Sequence, residues 1–381
     1  MKKKVISALG IMTGTSIDGV DLSLIKSDGI NEFEPVLDDY YEFNKNIQKK
    51  IEKLRNILSN VDDLNTHSKD LNELEREITM FVGETIKKFN EKNNQEIDLI
   101  GFHGQTIFHD SNKKTSLQLG NGSLLSNITK KIVINNFRQN DLLKGGLGAP
   151  LAPIFHKLIS TILSNKYNIE FPINIINIGG IANITKITDN NPDPSKNLFA
   201  FDIGPGNCLI DGWIKKNSLK KFDYNGELAK SGNVDQLVLN QAIDNFSGSK
   251  FDTSLDVKNF DFSFAKGLSI EDGCATITKF TAYLIAEGIN FVNHINNKNS
   301  QYNLICGGGR KNDFLINSIK ENLSKDSILK KIDEYGFNGD YIESQAFAYL
   351  AIRSYLNLPI SFPNTTKCSE PTLGGEINKD F

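Results

Sequence analysis

The sequence lacks most of what would tie it to a membrane, an oxidising compartment or a nucleic acid. Its four cysteines, Cys208, Cys274, Cys306 and Cys368, stand far apart and form no C-x-x-C pair, which fits reduced thiols in a cytoplasmic protein. No apolar run is long enough to span a bilayer. Met1-Lys2-Lys3-Lys4 ahead of a short apolar run imitates the start of a secretion signal. That run leads into Thr13-Gly14-Thr15-Ser16 without a small-x-small cleavage site, so a first strand is expected instead. No block of Lys or Arg reverses the net charge of -3, which argues against a general nucleic-acid surface. What remains, 39% hydrophobic and 23% charged residues in a chain of 381, is an ordinary globular composition with length for two domains.

Alternating apolar positions predict strands at 5–11 and 19–25, joined by Thr13-Gly14-Thr15-Ser16-Ile17-Asp18, and a third strand at 33–43. The hydroxyls and glycine of that turn suit a phosphate, although hairpin turns favour the same residues for their geometry alone. Two amphipathic helices follow, one lined by Ile47, Ile51, Leu54 and Leu58, the other by Leu71, Leu74, Ile78, Phe81 and Phe89; both stripes are core. Residues 98–106 read as a buried strand that emits a polar loop, and His103, Gln105 and Thr106 could hydrogen-bond a hydroxylated ligand. His103 and His109 are spaced H-x5-H, which does not put them on one helical face, so no metal pair is expected. A strand at 132–138 delivers Arg138 at its end, where its planar fork suits a carboxylate, a phosphate or a surface ion pair.

Gly145-Gly146-Leu147-Gly148-Ala149-Pro150 is the clearest loop signal and sets the expected boundary: an N-terminal domain at 1–138, which 355–381 could complete, and a C-terminal domain at 139–354. A helix is expected at 151–163. A second hairpin, joined at Gly179-Gly180, has the form of the first. The strand from Leu198 runs into Phe201-Asp202-Ile203-Gly204-Pro205-Gly206-Asn207. Gly204 and Gly206 would admit an anion close to backbone N–H groups, and a helix starting near Asn207 would add its N-terminal amides. Asp202 stands where a general base for phosphoryl transfer belongs; an ordinary strand-to-helix connection has the same form. Residues 228–262 are uninformative, and 274–292 read as a buried helix. Gly307-Gly308-Gly309, after a strand, would let backbone lie against a nucleobase or ribose, or would simply pack closely. Glu343 falls in the first turn of a helix, where the dipole favours a carboxylate in any case.

Two hairpin-led halves and three glycine turns resemble the actin-like ATPase and sugar-kinase superfamily. The stretches 10–21, 101–106, 136–150, 177–183, 201–207 and 306–309, in that order, resemble those of the anhydro-N-acetylmuramic acid kinases over nearly the whole chain. The resemblance implies an α/β, two-domain actin-like ATPase (ribonuclease H-like) fold with an interdomain cleft. It also implies a bacterial, cytoplasmic enzyme of peptidoglycan recycling that uses ATP and Mg²⁺ to turn 1,6-anhydro-N-acetylmuramic acid and water into N-acetylmuramic acid 6-phosphate. Asp202 would deprotonate the water and Glu343 would orient sugar or water. Gly14, Thr15, Ser16, Asp18 and Gly19 would hold ATP phosphates, faced by Gly204, Gly206 and Asn207, with Gly307, Gly308 and Gly309 beside the adenosine. Gln105, Thr106 and Arg138 would take the sugar, Arg138 its lactyl carboxylate. The expected partners are ATP and an amino sugar, without nucleic acid or membrane; a homodimer is compatible with the chain. The two domains are expected to close over sugar and nucleotide, keeping water from ATP until then.

The chain departs from many sugar kinases at Met12, where an aspartate serves the metal; Asp18 or Asp202 could replace it as the Mg²⁺ ligand. Two alternatives share the ATP motifs: a kinase for an ordinary amino sugar with a free 6-hydroxyl, and an actin- or chaperone-like partner-switching ATPase. The superfamily's tRNA-modifying branch expects an H-x-x-x-H pair, which the sequence does not contain.

Overall fold

Strand β1 (Ile6–Thr13) alternates, so Leu9 and Ile11 face one side and Gly10 the other. In this computed structural model, which describes residues 4–14, 16–246, 260–294 and 301–381, β1 pairs antiparallel with β2 (Gly19–Ser27), and β2 with β3 (Phe33–Glu42). On the other side of β1, β4 (Leu99–Asp110) and β6 (Ile132–Asn135) add in parallel. β12 (Glu376–Asn378) closes that edge antiparallel to β6, and β5 (Thr115–Leu119) folds back on the end of β4. β4 runs further than residues 98–106 suggested. Pairing with β5 carries it on to Asp110, so His103, Gln105 and Thr106 are strand residues.

Leu9 and Ile11 join Val20, Leu22, Ile51 and Ile78 in one core under helices Lys45–Ile57 and Ser68–Asn93. The opposite face takes helix Ile342–Tyr355. Gly10 and Gly101 pair across β1 and β4. A Cβ on Gly10 would stand 1.9 Å from the Ser344 carbonyl oxygen, and one on Gly101 2.3 Å from that of Phe347. The absent side chains let the helix backbone rest on the sheet. Every residue from Ser344 to Ser354 is buried there.

Packing divides the chain into two compact units, Met1–Ile159 with Tyr341–Phe381, and Ser160–Asp340, the division falling inside helix Pro153–Tyr167. This differs from the boundary drawn at the glycine loop, because residues 139–159 and 341–354 pack with the first unit. The loop is tied down there. Asp141, 1% exposed, accepts from Gly148 N (2.7 Å), Ser361 Oγ (2.5 Å) and Thr366 Oγ1 (2.6 Å), and Leu147 N donates to Thr366 O. Helix Ile342–Tyr355 belongs to the same unit through its seat on Gly10 and Gly101.

The second unit repeats the scheme. β7 (Ile173–Ile178), β8 (Ile181–Ile187) and β9 (Leu198–Pro205) form an antiparallel meander, β10 (Tyr302–Cys306) lies parallel to β7, and β11 (Ile328–Lys331) parallel to β10. The order β11-β10-β7-β8-β9 matches β6-β4-β1-β2-β3, so each unit carries the ribonuclease H-like α/β arrangement. Ile176, Ile178 and Ile203 pack here with helices Cys208–Asn217, Ile270–His294 and Asp313–Asn322. Of the stretch 228–262, helix Gln236–Asn245 is formed and 247–259 lie outside the described residues. Among the described residues no helix is long and apolar enough to cross a membrane.

Candidate active-site residues in the two units

In the first unit the turn after β1 is held in place. Ile17 N and Gln105 Nε2 both donate to Gly14 O, each at 3.3 Å. Ile17 has φ of 61°, a left-handed conformation that is costly for a β-branched residue, and its burial in the core holds it there. Gly14 itself has space: the nearest atom to an added Cβ is Ser16 Oγ, 3.5 Å away. Packing does not demand glycine at this point, which leaves room for a ligand's close approach. Gly19 is different, since a Cβ there would stand 2.3 Å from Tyr41 O; its glycine serves the pairing of β2 with β3. Ser16 is exposed, and Thr15 lies outside the described residues. Asp18 O accepts from Phe43 N and Gln48 Nε2. Burial, followed by the charges of Asp18, Glu42 and Asp21, pushes the Tyr40 phenol up to about 12.

Four consecutive residues of β4, His103 to Thr106, reach different parts of this region. Gly104, at φ 79°, presents a carbonyl that accepts from Thr13 Oγ1 (3.0 Å) and His103 Nδ1 (2.7 Å). His103 Nε2 then accepts from Arg138 Nε (3.2 Å) and Nη2 (3.0 Å), while Arg138 Nη1 donates to Gly148 O (3.0 Å). Burial, helped by the Arg138 charge and opposed by the Gly104 bond, holds the His103 imidazole well below its ordinary value. It is therefore neutral and turned to Arg138. Gln105 is 1% exposed, and its Oε1 is buried without a partner among the described residues. Thr106 Oγ1 accepts from Gln118 Nε2 (3.4 Å), which also donates to Ser116 Oγ (2.7 Å). Gln118 and Ser116 were missed in the sequence; the signal was the polar alternation of residues 115–119 that marks β5.

Glu343 occupies the first turn of helix Ile342–Tyr355. Its neighbours anchor it. Ser344 Oγ lies 2.7 Å from Ser23 Oγ, Ser23 donates to Asp38 (2.6 Å), and Gln345 Nε2 donates to both Asp38 oxygens (3.2 Å). Burial raises the Asp38 carboxyl in spite of these bonds.

In the second unit Asp202 stands just before a bulge in β9: Asp202 pairs with Asn183 and Gly204 with Ala182, leaving Ile203 as the extra residue. Bulges commonly re-aim a side chain. Here Ile203 turns into the core against Gly288, whose added Cβ would stand 2.4 Å from Ile203 Cβ. The amides of Gly206 and Asn207 differ from the expected anion site. Gly206 N and Cys208 N donate to Gly180 O, and Asn207 N to Gly179 O (2.7 Å), so the start of helix Cys208–Asn217 is bound to the β7–β8 turn. What Asn207 offers is its side chain, which lies beside the triple-glycine turn, 3.9 Å from a Cβ on Gly308 and 3.1 Å from one on Gly309. Gly308 is open, whereas Gly309 and Gly307 are packed, 2.2 Å from Ile178 Cγ2 and 2.3 Å from Asn177 Oδ1. Gly179 is as open as Gly14, with nothing nearer than 3.6 Å; its hairpin's likeness to the first was the sign that could have marked it.

Arg310, 4% exposed, braces that turn: Nε and Nη2 grip Asp333 (2.8 and 2.9 Å), and Nη1 donates to Asp340 (2.7 Å) and Gly307 O (3.1 Å). The candidate residues thus fall into two groups. Gly14, Ser16, Asp18, Gly19, Gln105, Thr106, Arg138 and Glu343 belong to the first unit, and Asp202, Gly204, Gly206, Asn207 and Gly307, Gly308 and Gly309 to the second. Among the described residues no cluster of three His, Cys, Asp or Glu could hold a metal. Mg²⁺ needs no such cage, since one or two carboxylates and substrate phosphates commonly suffice.

The profile of the family described as anhydro-N-acetylmuramic acid kinase matches residues 6–379. A protein of that description from Pelagibacter ubique is 47% identical over 383 residues, covering 100% of both chains. Others from Methylobacterium nodulans and Agrobacterium fabrum are 34% and 33% identical, over 97% and 98% of this chain and 98% and 99% of theirs.

Proposed function

Because this chain belongs to the anhydro-N-acetylmuramic acid kinase family, we propose that it converts 1,6-anhydro-N-acetylmuramic acid, water and ATP to N-acetylmuramic acid 6-phosphate and ADP in peptidoglycan recycling in the cytoplasm. The observation that carries this is a 47% identical relative of that description spanning the whole of both chains. The anhydro sugar has no free 6-hydroxyl. Water therefore attacks C1 as the C1–O6 bond breaks, O6 takes the γ-phosphoryl group, and the bond from phosphorus to ADP breaks. The proton released by water goes to Asp202, and Glu343 orients water or sugar from its anchored helix turn. Arg138 takes the lactyl carboxylate, Gln105 and Thr106 the ring substituents.

Gly14 and Ser16 serve the terminal phosphates of ATP, as do Gly204 and Asn207, and Gly308 serves the adenosine. The free space at Gly14 and Gly308 supports this reading. Mg²⁺, held by Asp18 or Asp202 together with the phosphates, supplies charge neutralisation when bound. Positioning and electrostatics should account for most of the acceleration.

The test is ADP release by purified protein with Mg²⁺ and 1,6-anhydro-N-acetylmuramic acid, N-acetylmuramic acid, N-acetylglucosamine or no sugar. Turnover only with the anhydro sugar is expected. Asp202→Asn should lower it ~10²–10⁴-fold, the range of a general base, at unchanged thermal midpoint. Turnover of a sugar with a free 6-hydroxyl would sink the coupled ring opening, and sugar-independent turnover would favour a partner-switching ATPase.

A further inference from the structure

We infer that His103 is a positioning residue for the sugar site: as a neutral acceptor it fixes the plane of the Arg138 guanidinium without itself cancelling the charge that would meet an anionic group of the substrate. The inference rests on the reading that Arg138 takes the lactyl carboxylate.

The tautomer follows from the partners. Nδ1 lies 2.7 Å from the Gly104 carbonyl oxygen, an acceptor only, so Nδ1 carries the proton. Nε2 then has a lone pair, and two guanidinium nitrogens point at it from 3.0 and 3.2 Å. The ring itself cannot turn away. It is 3% exposed and packs on Phe347 at 4.4 Å between centroids, on the helix that Gly10 and Gly101 seat. A third arginine nitrogen is held by Gly148 O, in the loop that Asp141 secures. Three nitrogens held from two separate segments fix the plane of the guanidinium, and an arginine held so presents a preorganised fork to a carboxylate.

The choice of imidazole matters chemically. An aspartate or glutamate in its place would orient Arg138 equally well but would neutralise it, and a second carboxylate would then compete for the same donors. A neutral ring accepts without cancelling charge. Gly104 extends the arrangement to the phosphate side, since its carbonyl also receives Thr13 Oγ1 one residue before Gly14.

The experiment is steady-state kinetics of the full chain as His103→Leu, which removes the acceptor, His103→Gln, which offers an amide oxygen in its place, Arg138→Ala, and the Leu/Ala double variant. His103→Leu should raise KM for 1,6-anhydro-N-acetylmuramic acid about tenfold, the size expected for loss of one hydrogen bond to a charged group, with KM for ATP and kcat within about twofold. His103→Gln should recover most of that loss, and adding His103→Leu to Arg138→Ala should change KM less than about twofold. Parallel rises in both Michaelis constants, a failure of glutamine to rescue at native thermal stability, or additive effects in the double variant would overturn the inference. Should Arg138→Ala leave the sugar KM unmoved, the carboxylate reading falls first; a His103–Arg138 coupling then seen only in thermal midpoints would make the pair a structural clamp and reject its positioning role.

Discussion

Each unit carries one arginine just past a strand added in parallel to its meander, and the two are used in opposite ways. Arg310 follows β10 and is gripped by Asp333 and Asp340, so its charge is spent inside the protein. Arg138 follows β6, and two of the groups that hold it are a neutral imidazole and a carbonyl, which orient it without cancelling charge. The same side chain is a brace in one unit and, on the proposed reading, a ligand-facing fork in the other, and the charge of the groups that accept from it separates the two uses. The largest expected effect tests this directly. Arg310→Met would strand Asp333, leave Asp340 to Lys311 alone and release the Gly307 carbonyl, costing about 2–4 kcal/mol, below the full cost of a broken buried pair because both aspartates keep some water. KM for ATP should rise with it. Arg138→Met takes the donors from two neutral acceptors, His103 Nε2 and Gly148 O, so denaturant unfolding should show a smaller loss, about 1–2 kcal/mol. Equal destabilisation by the two variants would break the comparison.

The glycines after these strands divide in the same manner. Gly309 is packed and Gly308 is open. Gly309→Ala forces a methyl into Ile178 and should cost about 1–3 kcal/mol as overpacking does. Gly308→Ala should leave the thermal midpoint unchanged yet raise KM for ATP several-fold, because its methyl fills space a ligand would use. A stable Gly309→Ala with normal kinetics would show that Ile178 gives way and that this turn tolerates bulk.

Much of this was legible in the sequence, and the failures share a cause. The meanders were visible because alternation is a local property of residues such as Leu9, Gly10 and Ile11. The carriage of β4 through His103 to Asp110 was not, because Gly104 looks like a loop residue until one sees that β5 pairs beside it. Helix Ile342–Tyr355 was visible as a helix, but nothing local says that its seat is Gly10 and Gly101, more than two hundred residues away in the chain. The helix-start amides of Gly206 and Asn207 looked available because the carbonyls that occupy them, at Gly179 and Gly180, come from another hairpin. Arg138 was legible as a ligand candidate; that His103 serves it, in place of the ligand, depends on a proton location that only the Gly104 carbonyl reveals.

The smallest expected effect separates the two arginine partners by pH. Burial works to raise the Asp333 and Asp340 carboxyls, but Arg310, joined at Asp340 by Lys311, outweighs it and holds both below the usual carboxylate range. Their contribution is present above an unfolded value of about 3.9 and is lost as pH falls through the folded values. His103 behaves otherwise. Burial and then Arg138 keep it neutral in the fold, while in the unfolded chain it gains a proton below about pH 6.5, so its site loses stability from there downwards by about 1 kcal/mol per pH unit. His156, brought by burial to about 3, adds a loss over the same window, which is why the comparison needs a variant. Unfolding free energies of the parent and His103→Gln should run parallel above pH 7, and between pH 6.5 and 4.5 the variant should fall less steeply. Arg310→Met should match the parent's slope in that window and depart from it only near pH 4 and below. Parallel curves for parent and His103→Gln throughout would mean that His103 takes up a proton in the folded protein, and with that proton it could no longer accept from Arg138.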